Sequence, residues 1–257
     1  MAQDSVVALE SPPSIYLILG REVRLPVEVR DATAAVAYYL VPAAAAQRLV
    51  TPSALRVALV LPGRTLCTIG TMDYKDGDLG QYHEIAVTFF VHERDSRPLP
   101  FIGTALGLLR GNVGAYIHRL PVDGEFTCEA GRTIWGFPKF VTEIALSSAG
   151  GEQTAVLRAD GQHVLTHTVR TGGTRVLRNR AQISYGHRDG VVYKTLAVMS
   201  GEGVGARLGG ARLELGTHPL AGELRALGLP KRPLFSTYMS KMTGTFYAAE
   251  RLQPARA

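Results

Sequence analysis

The sequence predicts a mainly β fold of the α+β class, with a large antiparallel sheet, a barrel-like core and a few short helices. Asp-Gly, the strongest short signal for a β-hairpin, occurs four times at irregular spacing. Runs rich in β-branched and aromatic residues, such as residues 84–91, are typical of strands. No stretch alternates strands with helices of about 10–15 residues, so a parallel Rossmann-type sheet is not expected. The turn signals are Asp76-Gly77, Asp123-Gly124, Asp160-Gly161 and Asp189-Gly190.

Two of these turns lie between segments that themselves resemble strands. Residues 155–159 and 162–166 flank Asp160-Gly161, and residues 182–185 and 191–198 flank Asp189-Gly190. Each arrangement predicts a β-hairpin, because an Asp-Gly pair accepts the positive φ angles of a tight hairpin turn.

Three segments are predicted to be helical. Residues 31–40 resemble a helix with Asp31 near its N-cap and Pro42 as its stop. The alanine run at 43–46 belongs to a short helical region. Residues 219–228 fit a short helix that ends at Gly228.

The glycine-rich segment 201–210 is predicted to be a flexible turn. It lacks the Gly-Lys-Ser/Thr of a phosphate-binding loop, and its glycine spacing does not match the dinucleotide fingerprint. A nucleotide or flavin cofactor is therefore not expected.

The composition is that of a globular protein. A length of 257 residues with 46% apolar residues predicts a single domain, residues 1–257, with a core that needs no disulfide. Cys67 and Cys128 lie outside any CxxC spacing and are expected to be reduced and buried. The first twenty residues lack a secretion signal, and no run approaches the roughly 20 apolar residues of a membrane span. We expect a cytoplasmic protein that does not contact membranes.

The formal net charge of +6 does not by itself indicate a nucleic-acid partner. Arginines cluster at positions 170, 175, 178 and 180, but no basic motif interleaved with aromatic residues accompanies them. A modest positive net charge more often reflects solvated basic side chains on the surface, whose field attracts anions. No nucleic-acid partner is expected.

Metal and serine-hydrolase chemistry have little support in the sequence. His163 and His167 are spaced i,i+4 on a predicted strand, which places them about 13 Å apart, too far for one metal ion. Neither an HExxH motif nor a Gly-x-Ser-x-Gly elbow occurs. No metal site is expected. A catalytic pair of cysteine and histidine is not excluded, but no local sequence pattern indicates one.

Lys139 is notable because its sequence neighbours are apolar. A free lysine has a pKa of about 10.4, so only about one in 2,500 is neutral at pH 7. Burial in an apolar pocket can lower that pKa by about 3–5 units and produce a neutral amine that attacks a carbonyl group to form an imine. The alternative is an exposed lysine on a loop between strands. The neighbours are Trp135, Phe137, Pro138, Phe140 and Val141.

The segment 131–139, Gly-Arg-Thr-Ile-Trp-Gly-Phe-Pro-Lys, resembles the Gly-Arg…Pro-Lys active-site segment of the acetoacetate decarboxylase family. Gly20-Arg21-Glu22, Tyr82-His83-Glu84 and residues 210–220 extend the resemblance over most of the chain. The resemblance implies a predominantly β, barrel-like fold, a homo-oligomeric assembly and no cofactor. It also implies that Lys139 forms a Schiff base and that Arg21 and Glu84 are catalytic partners.

The same resemblance implies a small anionic keto acid as the substrate. An iminium on Lys139 accepts the electron pair released when a β-carboxylate departs, Arg21 holds the substrate carboxylate or orders nearby acids, and Glu84 moves protons. We expect four residues near Lys139 to bind the substrate. They are Arg132, Trp135, Phe137 and Phe140.

Two departures from the decarboxylases leave the reaction open. Phe140 stands where those enzymes carry a second lysine. In acetoacetate decarboxylase this neighbouring cation activates the lysine nucleophile. Residues 67–72 contain no acid at the place where a second active-site glutamate is expected. The hypotheses are a decarboxylase, an aldolase or dehydratase that acts on a larger keto acid, and a non-catalytic keto-acid-binding protein.

Overall fold

A closed barrel of seven strands forms the centre of the molecule in the computed structural model. The model describes residues 14–252 apart from 51, 53, 97–100, 102, 105, 106 and 108–112. Its strands are β1 (Ile15–Ile18), β2 (Arg21–Arg24), β3 (Val27–Pro42), β4 (Leu55–Val57), β5 (Arg64–Gly77), β6 (Tyr82–Glu93), β7 (Gly114–Val122), β8 (Lys139–Val141), β9 (Glu143–Ala149), β10 (Glu152–Ala159), β11 (Gln162–Arg170), β12 (Arg175–Arg188), β13 (Val191–Leu208), β14 (Ala211–Leu215), β15 (Phe235–Phe246) and β16 (Glu250–Leu252).

The barrel order is β6-β5-β3-β15-β13-β12-β7, and it closes where β6 pairs with β7. These pairings are antiparallel except for the short parallel contact between β12 and β7. β8, which is not one of the seven barrel strands, pairs in parallel with β7. A second antiparallel sheet, in the order β14-β11-β10-β9, shares the main hydrophobic core with the barrel. The predicted mainly β fold with a barrel-like core is confirmed.

Three short helices accompany the strands in the described part of the chain. They are α1 (Ala43–Leu49), α2 (Glu125–Trp135) and α3 (Pro219–Ala226). None of the helices described is long and apolar enough to cross a membrane. Gly228, with φ +76°, lies just beyond α3, as the sequence predicts.

Several further expectations are confirmed. β10 and β11 form the hairpin at Asp160-Gly161, and β12 and β13 form the one at Asp189-Gly190. The strand expected at 84–91 lies within β6, and the alanine run begins α1. Cys67 and Cys128 are both free and buried. Asp123-Gly124, by contrast, leads into α2 and not into a hairpin.

The helix predicted at 31–40 is wrong, because this segment lies in the long strand β3. β3 pairs along most of its length with β5 on one side and β15 on the other. Ala35 and Ala37 are fully buried there, in the main core between the barrel and the small sheet. Their small side chains suit a crowded strand, and tertiary packing outweighs alanine's helix propensity. Pro42 ends β3 and directly precedes α1.

The flexible turn predicted at 201–210 is also largely wrong. Residues up to Leu208 belong to β13 and pair with β15, and the turn is confined to Gly209 and Gly210. A Cβ atom at Gly205 would collide with the carbonyl oxygen of Gly172. The glycine there permits close approach of two backbone segments, which a sequence pattern alone does not distinguish from flexibility.

His167, on β11, is completely buried, and neither of its ring nitrogens has a hydrogen-bond partner among the described residues. Burial disfavours the imidazolium and lowers the pKa of His167 from 6.5 to about 4. Between these two pH values the unfolded chain binds a proton that the folded chain does not bind. The contribution of His167 to stability is therefore complete above pH 6.5 and is lost as the pH falls towards 4.

We predict that replacement of His167 by leucine flattens the pH dependence of stability. In the parent protein, His167 should account for a loss of about 2 kcal/mol in the free energy of unfolding between pH 7 and pH 5. Urea unfolding at pH 7, 6 and 5 measures this loss. The same acid sensitivity in His167→Leu as in the parent would show that other groups cause it.

Candidate active site

The register of four neighbouring strands, β5 to β8, brings Glu84 and Lys139 together. Glu84 on β6 lies opposite Val122 on β7, and Val122 lies opposite Val141 on β8. Directly opposed residues share a face of the sheet, as do residues two apart along a strand. Lys139, two residues before Val141, therefore lies on the face that carries Glu84.

The end of α2 and the start of β8 fix the position of Lys139. Gly136 terminates α2 in the left-handed region, with φ +63°, and its N–H donates to the carbonyl of Arg132 at 3.2 Å. The N–H of Phe137 donates to the carbonyl of Gly131, and two residues later β8 begins at Lys139. The alternative of an exposed lysine on a loop is wrong, because the segment is a helix followed by a strand and Lys139 is buried.

The Lys139 ammonium is held by three side chains in an almost dry site. Its Nζ lies 2.8 Å from Oε2 of Glu84, and the two side chains are only 3% and 8% exposed. Nζ also donates to Oγ1 of Thr127 on α2, at 3.1 Å. The ring of Tyr82 lies on a further side, with its centroid 4.9 Å from Nζ.

This environment corrects the expected direction of the Lys139 pKa. Burial favours the neutral amine, but the charge of Glu84, the nearby Tyr82 and the hydrogen bond to Glu84 favour the ammonium, and together they raise the pKa above its ordinary value. The resting site therefore holds an ion pair of Lys139 and Glu84. A neutral amine arises when Lys139 transfers its proton to the carboxylate.

Two stacked tyrosines complete the polar part of the site. The rings of Tyr74 and Tyr82 lie 4.3 Å apart, and the hydroxyl of Tyr74 donates to Oε1 of Glu84 at 3.4 Å. Burial is the main cause that raises the pKa of both tyrosines, so each keeps its phenolic proton. Sequence analysis assigned no role to Tyr74, Tyr82 or Thr127. Tyr82 could have been found from the sequence, because it lies two residues before Glu84 and therefore on the same face of the predicted strand.

A cavity with an open mouth gives access to Lys139. Trp135 and Phe137, which sequence analysis expected to bind substrate, both line it, as does Phe246 from β15. Valine and leucine side chains complete much of the wall. The predicted nucleophile and two of the four predicted substrate contacts thus share one cavity with Glu84.

Three other predicted site residues lie elsewhere. Arg21 is exposed at the start of β2, and its guanidinium lies 4.0 Å from the centroid of the Phe126 ring. Arg132 is exposed on α2, where its carbonyl accepts a hydrogen bond from Arg188. Neither arginine lines the cavity.

Phe140 lines a second, mostly apolar cavity on the other side of β8. Successive side chains of a strand point to opposite faces, so the residue after Lys139 is directed away from it. The expectation that Phe140 desolvates Lys139 is therefore wrong. Trp135 and Phe137 provide the apolar surroundings instead.

The described residues contain no group of three or more histidine, cysteine, aspartate or glutamate side chains that could hold a metal ion.

Gly131, one turn along α2 from Thr127, makes room for the nucleophile. A Cβ atom at Gly131 would lie 2.5 Å from Cδ and 2.7 Å from Cε of Lys139. Any larger residue at this position would force the lysine side chain or the helix to move. The glycine of the Gly-Arg pair is thus explained by direct contact with the lysine eight residues later.

We predict that Gly131→Ala lowers the free energy of unfolding by about 1–3 kcal/mol, the usual cost of overpacking a core. Gly222→Ala on α3 is the matched control, because its Cβ would meet no atom within 4 Å. That control should raise stability by up to about 1 kcal/mol, since alanine is the better helix former. Urea unfolding measures both variants, and equal effects would contradict the contact with Lys139.

We also predict that Glu84→Gln lowers the pKa of Lys139. Removal of the carboxylate leaves burial as the dominant influence, so the pKa should fall below its value in the parent protein. The pH midpoint for acetylation of Lys139 by acetic anhydride, a small neutral reagent, measures the shift by mass spectrometry. Glu143→Gln, at an exposed position on β9, is the control. An unchanged or higher midpoint in Glu84→Gln would refute the ion pair.

Comparison with known proteins agrees with this architecture. The family model described as acetoacetate decarboxylase matches residues 19–249. No curated protein matches the sequence closely enough to count as a relative.

Solved structures share the fold at low sequence identity. An acetoacetate decarboxylase structure superposes with a TM-score of 0.66 at 18% identity, covering 91% of this chain and 92% of the other. The acetoacetate decarboxylase of Legionella pneumophila gives 0.65 at 16% identity and covers 99% and 95%. The enduracididine biosynthesis enzyme MppR, complexed with pyruvate, gives 0.59 at 15% identity and covers 96% and 93%. Because the family model matches nearly the whole of this barrel, the chain belongs to the acetoacetate decarboxylase family.

Proposed function

We propose that this protein is a lyase that forms an imine between Lys139 and a keto acid and then releases carbon dioxide. The observation that carries the proposal is the position of the Lys139 amine, buried in an open cavity with a proton acceptor, Glu84, at 2.8 Å. Membership of the acetoacetate decarboxylase family supports an enzymatic role. Arg21 and Arg132 have no part in this mechanism, because neither lines the cavity.

The first step converts the resting ion pair into a nucleophile. Transfer of a proton from Lys139 to Glu84 gives a neutral amine and a neutral carboxylic acid, a pair that the buried site tolerates once substrate displaces water from the cavity. The amine adds to the substrate carbonyl carbon to form a carbinolamine. Glu84 then returns the proton to the hydroxyl group, which leaves as water and yields the iminium.

The second step breaks the bond between the α-carbon and the carboxylate. Its electron pair moves into the iminium, which becomes a neutral enamine as carbon dioxide leaves. Among the described residues that line the cavity, no arginine and no second lysine faces the carboxylate. A step that removes both charges is favoured in such an apolar site. Protonation of the enamine at carbon and hydrolysis of the iminium release the ketone and free Lys139.

Aldol cleavage or dehydration of a larger keto acid is the second candidate. It begins with the same iminium and differs only in the bond that breaks. Phe140, in place of the second lysine of the decarboxylases, favours it. A non-catalytic keto-acid-binding protein on the same scaffold is the alternative from another class.

We predict that borohydride traps a reduced adduct on Lys139 when the protein is incubated with acetoacetate, pyruvate or a wider panel of keto acids. Mass spectrometry of the peptide that contains Lys139 locates the adduct. Lys139→Met, which keeps the apolar length of the side chain, should form no adduct and lose turnover. Glu84→Gln should lower kcat by about 10²–10⁴-fold, as expected for loss of a general acid–base.

Lys241→Met, at an exposed position on β15, is the control and should retain adduct formation. Carbon dioxide release from the same reactions separates decarboxylation from aldol or dehydration chemistry. Absence of an adduct across the panel, or turnover by Lys139→Met, would overturn the enzyme proposal.

A further inference from the structure

We propose that the keto acid accepted at Lys139 carries an aromatic substituent, and that this substituent, not the carboxylate, anchors it in the cavity. This inference rests on the proposed imine function of Lys139 and specifies its substrate class. It follows from the aromatic walls of the cavity and from the directions of its charged side chains.

Five aromatic rings line the cavity, in two groups. Trp135 lies 5.7 Å from Phe137 in a stacked arrangement, and 6.0 Å from Phe246 at an interplanar angle of 59°. The stacked pair of Tyr74 and Tyr82 lies next to Glu84 and Lys139. Aromatic rings prefer offset-stacked or edge-to-face partners, so such walls favour a flat ring over a flexible chain.

Two of these rings offer surface to a ligand. Phe246 and Tyr82 are only half-buried although both line the cavity, whereas Trp135 and Phe137 are buried. The indole N–H of Trp135 donates to the carbonyl of Tyr247, which fixes that ring in place. The wall is therefore partly rigid, with ring surface left over for contact with a substrate.

The cavity presents no unpaired charge to a substrate carboxylate. Two acidic residues at its rim, Glu28 and Asp78, are turned outward. Val27 and Val29 belong to buried clusters, so alternation along β3 directs Glu28 to the other face, where it accepts a hydrogen bond from Thr245. Asp78 accepts hydrogen bonds from the Arg30 guanidinium and from the backbone N–H of Glu28.

The charged side chains that remain directed inward are Lys139 and Glu84, and they neutralise each other. A small keto acid would therefore lose the hydration of its carboxylate and gain no cation in the described part of the site. Binding energy from a remote group must offset that cost. Contact of an aromatic substituent with Phe246, Tyr82 and their neighbours provides it, and loss of carbon dioxide then removes the buried charge.

The test compares two β-keto acids that differ only at the end remote from the carboxylate. They are acetoacetate and 3-oxo-5-phenylpentanoate, whose carbonyl groups are both unconjugated. Half-saturating concentrations for borohydride trapping on Lys139 should be about 10- to 100-fold lower for the phenyl compound, as expected for burial of a phenyl group. The cyclohexyl analogue, with equal bulk and no π face, should fall between them.

Phe246→Leu should reduce the preference for the phenyl compound. Phe235→Leu is the matched control on the same strand, because Phe235 stacks on Tyr38 and does not line the cavity, and it should keep the preference. Circular dichroism confirms that each variant is folded, and the comparison in the parent protein stands without them.

Equal trapping of the phenyl compound and acetoacetate would overturn this inference and leave the proposed imine function intact. Equal half-saturating concentrations for the phenyl and cyclohexyl compounds, both lower than that for acetoacetate, would overturn the aromatic requirement. They would show that the site selects only a bulky substituent. No adduct with any of the three would overturn the imine function and this inference with it.

Discussion

The buried ion pair between Lys139 and Glu84 is the interaction on which the rest of the site depends. Two charges in an almost dry cavity are costly unless each satisfies the other, and loss of one partner leaves the second exposed to the full desolvation cost. Each member of the pair makes one further hydrogen bond: Lys139 donates to the Thr127 hydroxyl, and Glu84 accepts from the Tyr74 hydroxyl. The pair also places a proton acceptor, the Glu84 carboxylate, within hydrogen-bond distance of the Lys139 amine.

The pair explains why a lysine surrounded by aromatic residues is not simply a neutral amine. Burial and the neighbouring carboxylate act in opposite directions on its protonation, and the carboxylate prevails at rest. A ligand that displaces water and brings its own charge into the site would change this balance. In this respect the protein differs from a site that relies on a second cation next to its nucleophile, because here the residue after the lysine points to another cavity.

Sequence analysis found the parts of this molecule that are marked by local patterns. The two Asp-Gly hairpins follow from turn chemistry, and the burial of Lys139 follows from its apolar neighbours in the sequence. The helix predicted at 31–40 failed because alanine propensity carries no information about the strands on either side of β3. Arg21, Arg132 and Phe140 were placed by proximity in sequence or by resemblance, whereas strand alternation and helix direction decide which side chains reach the cavity. Phe246 could not be found, since it joins the cavity from a strand more than a hundred residues away in sequence.

The closure of the barrel has a consequence for the ion pair. Glu84 lies on β6 and Lys139 follows β7 on β8, so the two groups meet across the seam where β6 pairs with β7. The side-chain period of a strand is two residues, so a shift of this pairing by one residue would turn Glu84 to the other face of the sheet. The hydrogen-bond register that closes the barrel thus also determines whether the buried lysine has a carboxylate beside it.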